Sequence, residues 1–306
     1  MSLRYVIVGA GGVGGSVAAF LGMAGRDVTL IARGSHLDAM KENGLIFVRD
    51  GGEQAIPAVK ALSSEEYLTR RETPDVIFLC TKSYSVKEVA PFIRQAAGKS
   101  TLVISLLNGI AAAEQIRELL PGVKVADGLI YIFARKDGDG RIYLSGDRMH
   151  IYFGTEDPEV SREKLETIQK ECTVPGMKAT LSEDIQKEVL RKFSLVGAMA
   201  VTALVYHCPM GPLMKPGEER DFYREAIGEL VALGEKMGIH YEEDLTERNL
   251  TILDRSRPED TTSLQRDVEA GGPCETDTFI LRPIRLGERC GVDMKCWKRA
   301  AEALGL

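Results

Sequence analysis

The first fourteen residues constrain the fold more than any other segment. An apolar run at residues 5–8 leads directly into Gly9-Ala10-Gly11-Gly12-Val13-Gly14, and apolar residues then recur at helical spacing over 13–23. A GxGxxG sequence between a strand and a helix is typical of a dinucleotide-binding βαβ unit: the first glycine permits the turn, the second lets the backbone approach a pyrophosphate, and the third lets helix and strand pack closely. The N–H groups that open the helix favour phosphate. The segment therefore predicts a dinucleotide site.

The residue after the second apolar run, 28–32, indicates which dinucleotide binds. Many NAD-binding chains carry Asp or Glu there for the ribose hydroxyls, whereas this chain carries Arg33. A guanidinium can pair with a 2′-phosphate through two parallel hydrogen bonds. We therefore predict NADP as the cofactor, with a solvated Arg33 as the structural alternative.

The spacing of apolar runs predicts two domains. Further continuous apolar runs lie at 76–80 and 102–106, and alternate with helical patterns, as in a parallel sheet covered on both faces. We expect a hairpin over 142–153, and only helices after residue 182. The predicted fold is α/β, with a Rossmann-like doubly wound sheet domain (1–180) that binds NADP, followed by an all-helical C-terminal domain (181–306).

Charge and cysteine content exclude several classes of protein. The net charge of −6 disfavours nucleic-acid and acidic-membrane partners. The six cysteines form no CxxC pair, and only four histidines accompany them, so we expect neither a metal site nor a disulfide framework. The N-terminus lacks the regions of a signal peptide, and no unbroken apolar run approaches the ~18 residues of a membrane span. These features favour a cytoplasmic protein.

The motifs in sequence order resemble the ketopantoate reductase (2-dehydropantoate 2-reductase) family over essentially the whole chain. The similarity rests on the GAGGVGG start, LIARGSHLDAMKENGL, TKSY at 81–84, LNG at 107–109 and ARKDG at 134–138. It continues in the second half with LRKF at 190–193, CPMG at 208–211, TSLQRD at 262–267 and ETD at 275–277.

The resemblance implies a hydride transfer from NADPH to the ketone of ketopantoate, which gives pantoate for coenzyme A biosynthesis. It also implies a site in the cleft between the two domains, with the substrate and catalytic residues in 181–306. Lys192 matches the family's proton donor, Glu275 the glutamate beside substrate and nicotinamide, and Ser263 a contact to the substrate carboxylate. Lys82, Asn108 and Ala134 match cofactor-side positions.

The chemistry of Lys192 agrees with that role. A ketone that accepts hydride develops negative charge on oxygen, which an acidic group must meet. Lys192 precedes a nearly all-apolar stretch at 193–206, so we expect a buried helix and a partly desolvated lysine with a lowered pKa. The alternative is a lysine that snorkels to the surface.

The chain departs from the family pattern at four substrate-side positions. Val196 and Ala200 share the helix face of Lys192 where the family usually has asparagines, and Met210 replaces another asparagine. Ile280-Leu281 replaces an Asn-Gly pair. A site without these polar groups should recognise the 4-hydroxyl of ketopantoate poorly. A reductase for a less polar 2-oxo acid and an NADP-binding sensor without turnover therefore remain alternatives. A 6-phosphogluconate-type dehydrogenase is a further alternative by architecture, but its sequence pattern in the helical half differs from that of this chain. For the oligomeric state, a homodimer is a hypothesis only.

Overall fold

The predicted parallel sheet is present in the computed structural model, which describes residues 2–146 and 148–306. Its eight strands run in the order β5-β2-β1-β6-β7-β8-β11-β12, and the step from β8 to β11 is antiparallel. A second sheet has the order β4-β3-β10-β9. The strands are β1 Arg4–Val8, β2 Asp27–Ile31, β3 Leu45–Arg49, β4 Gly52–Ile56, β5 Val59–Leu62, β6 Val76–Leu79, β7 Leu102–Ser105, β8 Lys124–Tyr131, β9 Ala134–Lys136, β10 Arg141–Leu144, β11 Met149–Gly154 and β12 Met177–Leu181.

Helices follow most of the strands and then fill the second half of the chain, as predicted. They are α1 Gly12–Met23, α2 Gly34–Asn43, α3 Ser64–Thr69, α4 Val86–Ala96, α5 Ala112–Leu119, α6 Arg162–Cys172, α7 Ile185–Tyr206, α8 Met210–Leu213, α9 Glu218–Lys236, α10 Leu245–Leu253, α11 Ser263–Glu269, α12 Arg282–Cys290 and α13 Lys295–Ala303. A 3₁₀ turn spans Ser83–Ser85, and a π-helical turn spans Asp277–Leu281.

Alternating side chains of β1 explain why the large sheet is covered on both faces. Tyr5 and Ile7 pack into one apolar cluster, and Val6 and Val8 pack into another. Because successive side chains of a strand point to opposite faces, a continuous apolar run fits a strand that is buried on both sides. The fold class predicted from these runs is confirmed.

The chain divides into two compact units. The first unit contains the residues up to Leu107 together with Ala111–Ile185, and the second contains Asn108–Ile110 together with Gln186–Leu306. All strands among the described residues belong to the first unit. The second unit is helical, and its short segment 108–110 comes from the loop that follows β7.

The predicted hairpin over residues 142–153 is wrong. β10 pairs with β9 and β3 of the small sheet, whereas β11 pairs with β8 and β12 of the large sheet. The turn residues between the two strands lie where the chain passes from the small sheet to the large sheet, so they do not connect two paired strands. Asp147, part of that predicted turn, lies outside the described residues.

Helix α7 is the single described helix that is long and apolar enough to cross a membrane, judged by length and composition. Of the 18-residue apolar window within this helix, 67% is buried inside the protein. This burial fits a core helix, because a helix that is apolar on all sides is buried in a folded protein.

Candidate active site

Three glycines of the GxGxxG segment differ in what surrounds them. Gly9 has φ +105°, and a Cβ there would lie 2.8 Å from the Thr81 backbone nitrogen. A Cβ on Gly14 would lie 1.9 Å from the Gly9 oxygen. A Cβ on Gly11 would meet no protein atom within 4 Å. Packing therefore explains the glycines at 9 and 14, whereas Gly11 borders open space, where a bound pyrophosphate would need a bare backbone.

The N-terminus of α1 is suited to an anion. Gly11 is its N-cap, with no side-chain hydrogen bond, and the first turn contains no acidic residue. The first N–H groups of a helix have no intrahelical partner and carry partial positive charge. Gly12 packs tightly beside β9, since a Cβ there would lie 2.5 Å from the Ala134 carbonyl oxygen. Ala10 and Val13 are half-buried in the same segment.

The loop after β6 borders the glycine segment because β6 is a parallel neighbour of β1. Its Thr81 hydroxyl is buried and has no hydrogen-bond partner among the described residues. Lys82 follows as the N-cap of the 3₁₀ turn and is half-buried. Buried hydroxyls usually have a partner, so an orphaned one beside the glycine segment fits a ligand that completes the site. These residues fit a dinucleotide.

Arg33 follows β2, the other parallel neighbour of β1, and caps α2 in an extended conformation. Its side chain is largely exposed and its guanidinium donates to the Glu88 carboxylate of α4. No local pattern predicts this partner, because 55 residues separate the two. A negatively charged group therefore already contacts the guanidinium predicted to meet a 2′-phosphate.

Lys192 lies inside the second unit. The residue is 8% exposed, and its Nζ donates a hydrogen bond of 2.7 Å to Oδ1 of Asn108. Burial lowers the pKa of Lys192 to about 8, and the negative charge of Glu275, itself buried, opposes that shift. The structure thus brings three of the predicted residues together: a desolvated ammonium, an amide oxygen that orients it and a carboxylate that favours its charged form.

The glycine after Asn108 explains how the segment reaches Lys192. Gly109 has φ +102°, and a Cβ there would lie 2.3 Å from Cγ2 of Thr278 in the π-helical turn. Only glycine permits both that conformation and that approach. The π-helical turn begins two residues after Glu275, so the same packing holds Asn108 and the Glu275 segment in one neighbourhood. π-turns occur frequently at functional sites.

Aromatic packing fixes the π-helical turn against α7. The Phe279 ring lies 5.6 Å from that of Phe193, the residue next to Lys192. Trp297 is fully buried, lies 6.3 Å from Phe193, and donates a 2.7 Å bond from Nε1 to the Phe279 carbonyl. Rigid support of this kind holds the Lys192 ammonium in one position.

Similarity to known protein families shows to which family this chain belongs. The family described as "Ketopantoate reductase PanE/ApbA" matches residues 5–158, and "Ketopantoate reductase PanE/ApbA C terminal" matches 184–305. The chain belongs to the ketopantoate reductase family. The family resemblance inferred from the motifs is confirmed.

Relatives of this ketopantoate reductase family member are distant in sequence. An "Uncharacterized oxidoreductase YkpB" of Bacillus subtilis is 26% identical over 90% of this chain and 89% of its own length. A 2-dehydropantoate 2-reductase of Mesorhizobium japonicum is 26% identical over 93% and 91%. A D-mandelate dehydrogenase solved with NADH and anilino(oxo)acetate has TM-score 0.86 and 21% identity over 99% and 97%, a likeness of fold.

The remaining predicted substrate residues of this family member lie at different depths in the second unit. Ser263 is exposed at the first residue of α11, and Val196 is half-buried one turn beyond Lys192. Ala200 and Met210 are buried, as is Ile280 in the π-helical turn. None of the last four offers a side-chain hydrogen bond to a ligand.

Proposed function

We propose that this protein reduces the 2-keto group of ketopantoate to pantoate with NADPH in the cytoplasm, in pantothenate and coenzyme A biosynthesis. The observation that carries the proposal is the buried Lys192 ammonium held by Asn108. It is supported by the glycine segment and by the family to which the chain belongs.

The proposed mechanism divides hydride and proton between cofactor and protein. Bound NADPH would supply the hydride to the ketone carbon. Lys192 donates a proton from Nζ to the ketone oxygen, so that the carbonyl becomes a hydroxyl and no alkoxide accumulates. A lysine with pKa about 8 gives up its proton more readily than one in water, yet it is still mostly charged at neutral pH.

Glu275 and Ser263 have supporting roles in this proposal. The negative charge of the Glu275 carboxylate raises the pKa of Lys192, which helps to keep the amine protonated before each turnover. Exposed Ser263 at the start of α11 offers its hydroxyl to the substrate carboxylate. Asn108 accepts a hydrogen bond from one ammonium N–H of Lys192 and so orients the remaining two N–H groups.

A second candidate is reduction of a less polar 2-oxo acid. The apolar side chains at Val196, Ala200, Met210 and Ile280 favour it, because a hydroxyl-bearing substrate would lose its hydrogen bonds to water without replacement. The fold likeness to a D-mandelate dehydrogenase solved with NADH and anilino(oxo)acetate is consistent with this candidate.

A substrate panel separates the candidates. NADPH oxidation is followed at 340 nm with ketopantoate, 2-oxoisovalerate, 2-oxobutyrate and phenylglyoxylate. If ketopantoate has the highest kcat/KM, the first proposal holds. If it is surpassed about tenfold or more by an acid without the 4-hydroxyl, the second does. NADP⁺ binding without turnover of any of these acids would contradict both and support the sensor alternative.

Cofactor preference is expected to depend on Arg33. Arg33→Ala should raise KM for NADPH about 30-fold and leave KM for NADH nearly unchanged, since only NADPH carries the 2′-phosphate. Glu88→Gln should lower KM for NADPH, by no more than about fivefold, because it removes an exposed competing carboxylate. The ratio of kcat/KM for the two cofactors measures both effects. Equal losses with NADH and NADPH in Arg33→Ala would contradict the assignment.

A further inference from the structure

His36 occupies a buried position between two loops of the first unit. Its ring Nε2 lies 2.8 Å from the carbonyl oxygen of Ala10, inside the glycine segment. Its Nδ1 accepts a 2.8 Å hydrogen bond from the backbone N–H of Gly140, in the turn between β9 and β10. The residue is 8% exposed. One imidazole therefore joins the glycine segment to a turn more than one hundred residues away.

The two partners fix the tautomer of the ring. Gly140 N–H can only donate, so Nδ1 must carry a lone pair, and Ala10 C=O can only accept, so Nε2 must carry the proton. Doubly protonated imidazolium has no lone pair at Nδ1 and would oppose the Gly140 N–H. These two hydrogen bonds together require neutral His36.

The charged groups around His36 do not change this requirement. Asp139 Oδ1 lies 4.0 Å from Nδ1 and favours the imidazolium, but it also pairs at 2.6 Å with Lys136, whose charge acts in the opposite direction. The glycine segment contributes no titratable side chain. Burial, the largest influence, lowers the pKa of His36 below its usual 6.5.

We propose that His36 is a positioning residue that clamps the glycine segment in its cofactor-binding conformation, and that acidification releases the clamp. The inference rests on the proposed function, because it concerns the nucleotide site of that reaction. A segment that adopts the competent conformation only part of the time binds its ligand more weakly by that fraction. His36 thus sets NADP affinity without contacting the cofactor.

The clamp is tested by measuring the Kd of NADP⁺ by calorimetric titration between pH 5 and 8. The oxidised cofactor is used because it is stable in acid. His36→Phe keeps a ring but neither hydrogen bond and should weaken binding about tenfold at pH 7.5. His36→Gln keeps an amide donor that can reach Ala10 and should recover most of that loss. Exposed His240→Gln is the matched control and should bind like wild type. Equal affinities of His36→Phe and wild type would overturn the inference.

The pH dependence distinguishes the ring from the cofactor. The 2′-phosphate of NADP⁺ itself gains a proton near pH 6, so every variant should bind more weakly in acid. Only chains that retain His36 should show the additional loss. Because burial lowers the pKa of His36, the wild-type Kd should rise relative to that of His36→Gln only at pH values below the ordinary histidine pKa of 6.5. Parallel pH profiles of the two proteins would contradict the acid-release part of the proposal.

An amide measurement keeps the clamp separate from the proposed function. Hydrogen exchange at Gly140 N–H needs no cofactor and should be markedly slower in wild type than in His36→Phe. If wild-type protein binds no nicotinamide cofactor, the proposed function fails, and with it the effect on affinity. Unchanged exchange at Gly140 in His36→Phe would overturn the clamp itself.

Discussion

Lys192→Met is expected to lower kcat for 2-oxo acid reduction about 1,000-fold, the range that a positioned proton donor contributes. Methionine has a similar length and no proton to give, so the hydride would produce an unneutralised alkoxide in a desolvated site. Exposed Lys236→Met, at the end of α9, is the matched control and should retain wild-type turnover. Single-wavelength kinetics at saturating cofactor, with circular dichroism to verify folding, make the comparison. Wild-type turnover in Lys192→Met would refute the assignment.

Lys192→Arg addresses the objection that methionine merely leaves Glu275 uncompensated. Arginine preserves the positive charge and can still donate a hydrogen bond to Asn108, but its pKa lies so far above neutral pH that it does not release a proton during turnover. We therefore expect this variant to fold, to bind substrate and still to lose most of kcat. Near-normal kcat in Lys192→Arg would show that charge alone, without proton donation, suffices.

The pH profile of the wild-type enzyme gives the sign of the same effect. Reduction needs the protonated amine, so kcat/KM should be flat below the Lys192 pKa of about 8 and then fall about tenfold per pH unit above it. Because the Glu275 charge raises the pKa of Lys192, Glu275→Gln should move the falling limb to lower pH. A limb that stays in place would mean that Glu275 acts on the substrate alone.

Sequence patterns predicted the elements that are locally encoded. One contiguous segment predicts strand β1, the turn at Gly9 and helix α1. The continuous apolar composition of β6 and β7 likewise predicts that these two strands are buried. The hairpin error arose because turn residues report a change of direction but not which strand lies alongside. Pairing of β10 with β3 spans almost one hundred residues and leaves no local signal.

The site was predictable only where a side chain has a chemical identity to match. Lys192, Glu275 and Asn108 could be named from family motifs, but their proximity depends on packing of Gly109 against Thr278. His36 escaped because both of its partners are backbone atoms, which any residue could supply. The contact of Glu88 with Arg33 could not be predicted, because exposed carboxylates on helices are common and nothing in the sequence indicates their partners.

The glycine segment provides the second large prediction, since Gly11 and Gly14 separate ligand binding from folding. Gly14→Ala places a Cβ 1.9 Å from the Gly9 oxygen, and such overpacking against backbone should cost about 3 kcal/mol of unfolding free energy. Gly11 has φ −79° and ψ −167°, which alanine adopts freely, and nothing lies within 4 Å of its Cβ position. Gly11→Ala should therefore change Tm little, because the lower entropy of the unfolded chain is offset by alanine being a poorer N-cap than glycine.

The same alanine at position 11 should weaken NADP⁺ binding about 30-fold, because the methyl group fills the space that a pyrophosphate would take beside the backbone. Thermal unfolding without ligand and calorimetric titration with NADP⁺ measure the two effects in each variant. Gly25→Ala is a poor control because its φ of +70° introduces strain, whereas Gly228→Ala, inside α9 with open space around it, should change neither NADP⁺ affinity nor fold. Normal NADP⁺ affinity in Gly11→Ala would mean that the pyrophosphate does not approach this backbone. The dinucleotide site would then have to be sought away from the N-terminus of α1, even if Gly14→Ala unfolds as expected.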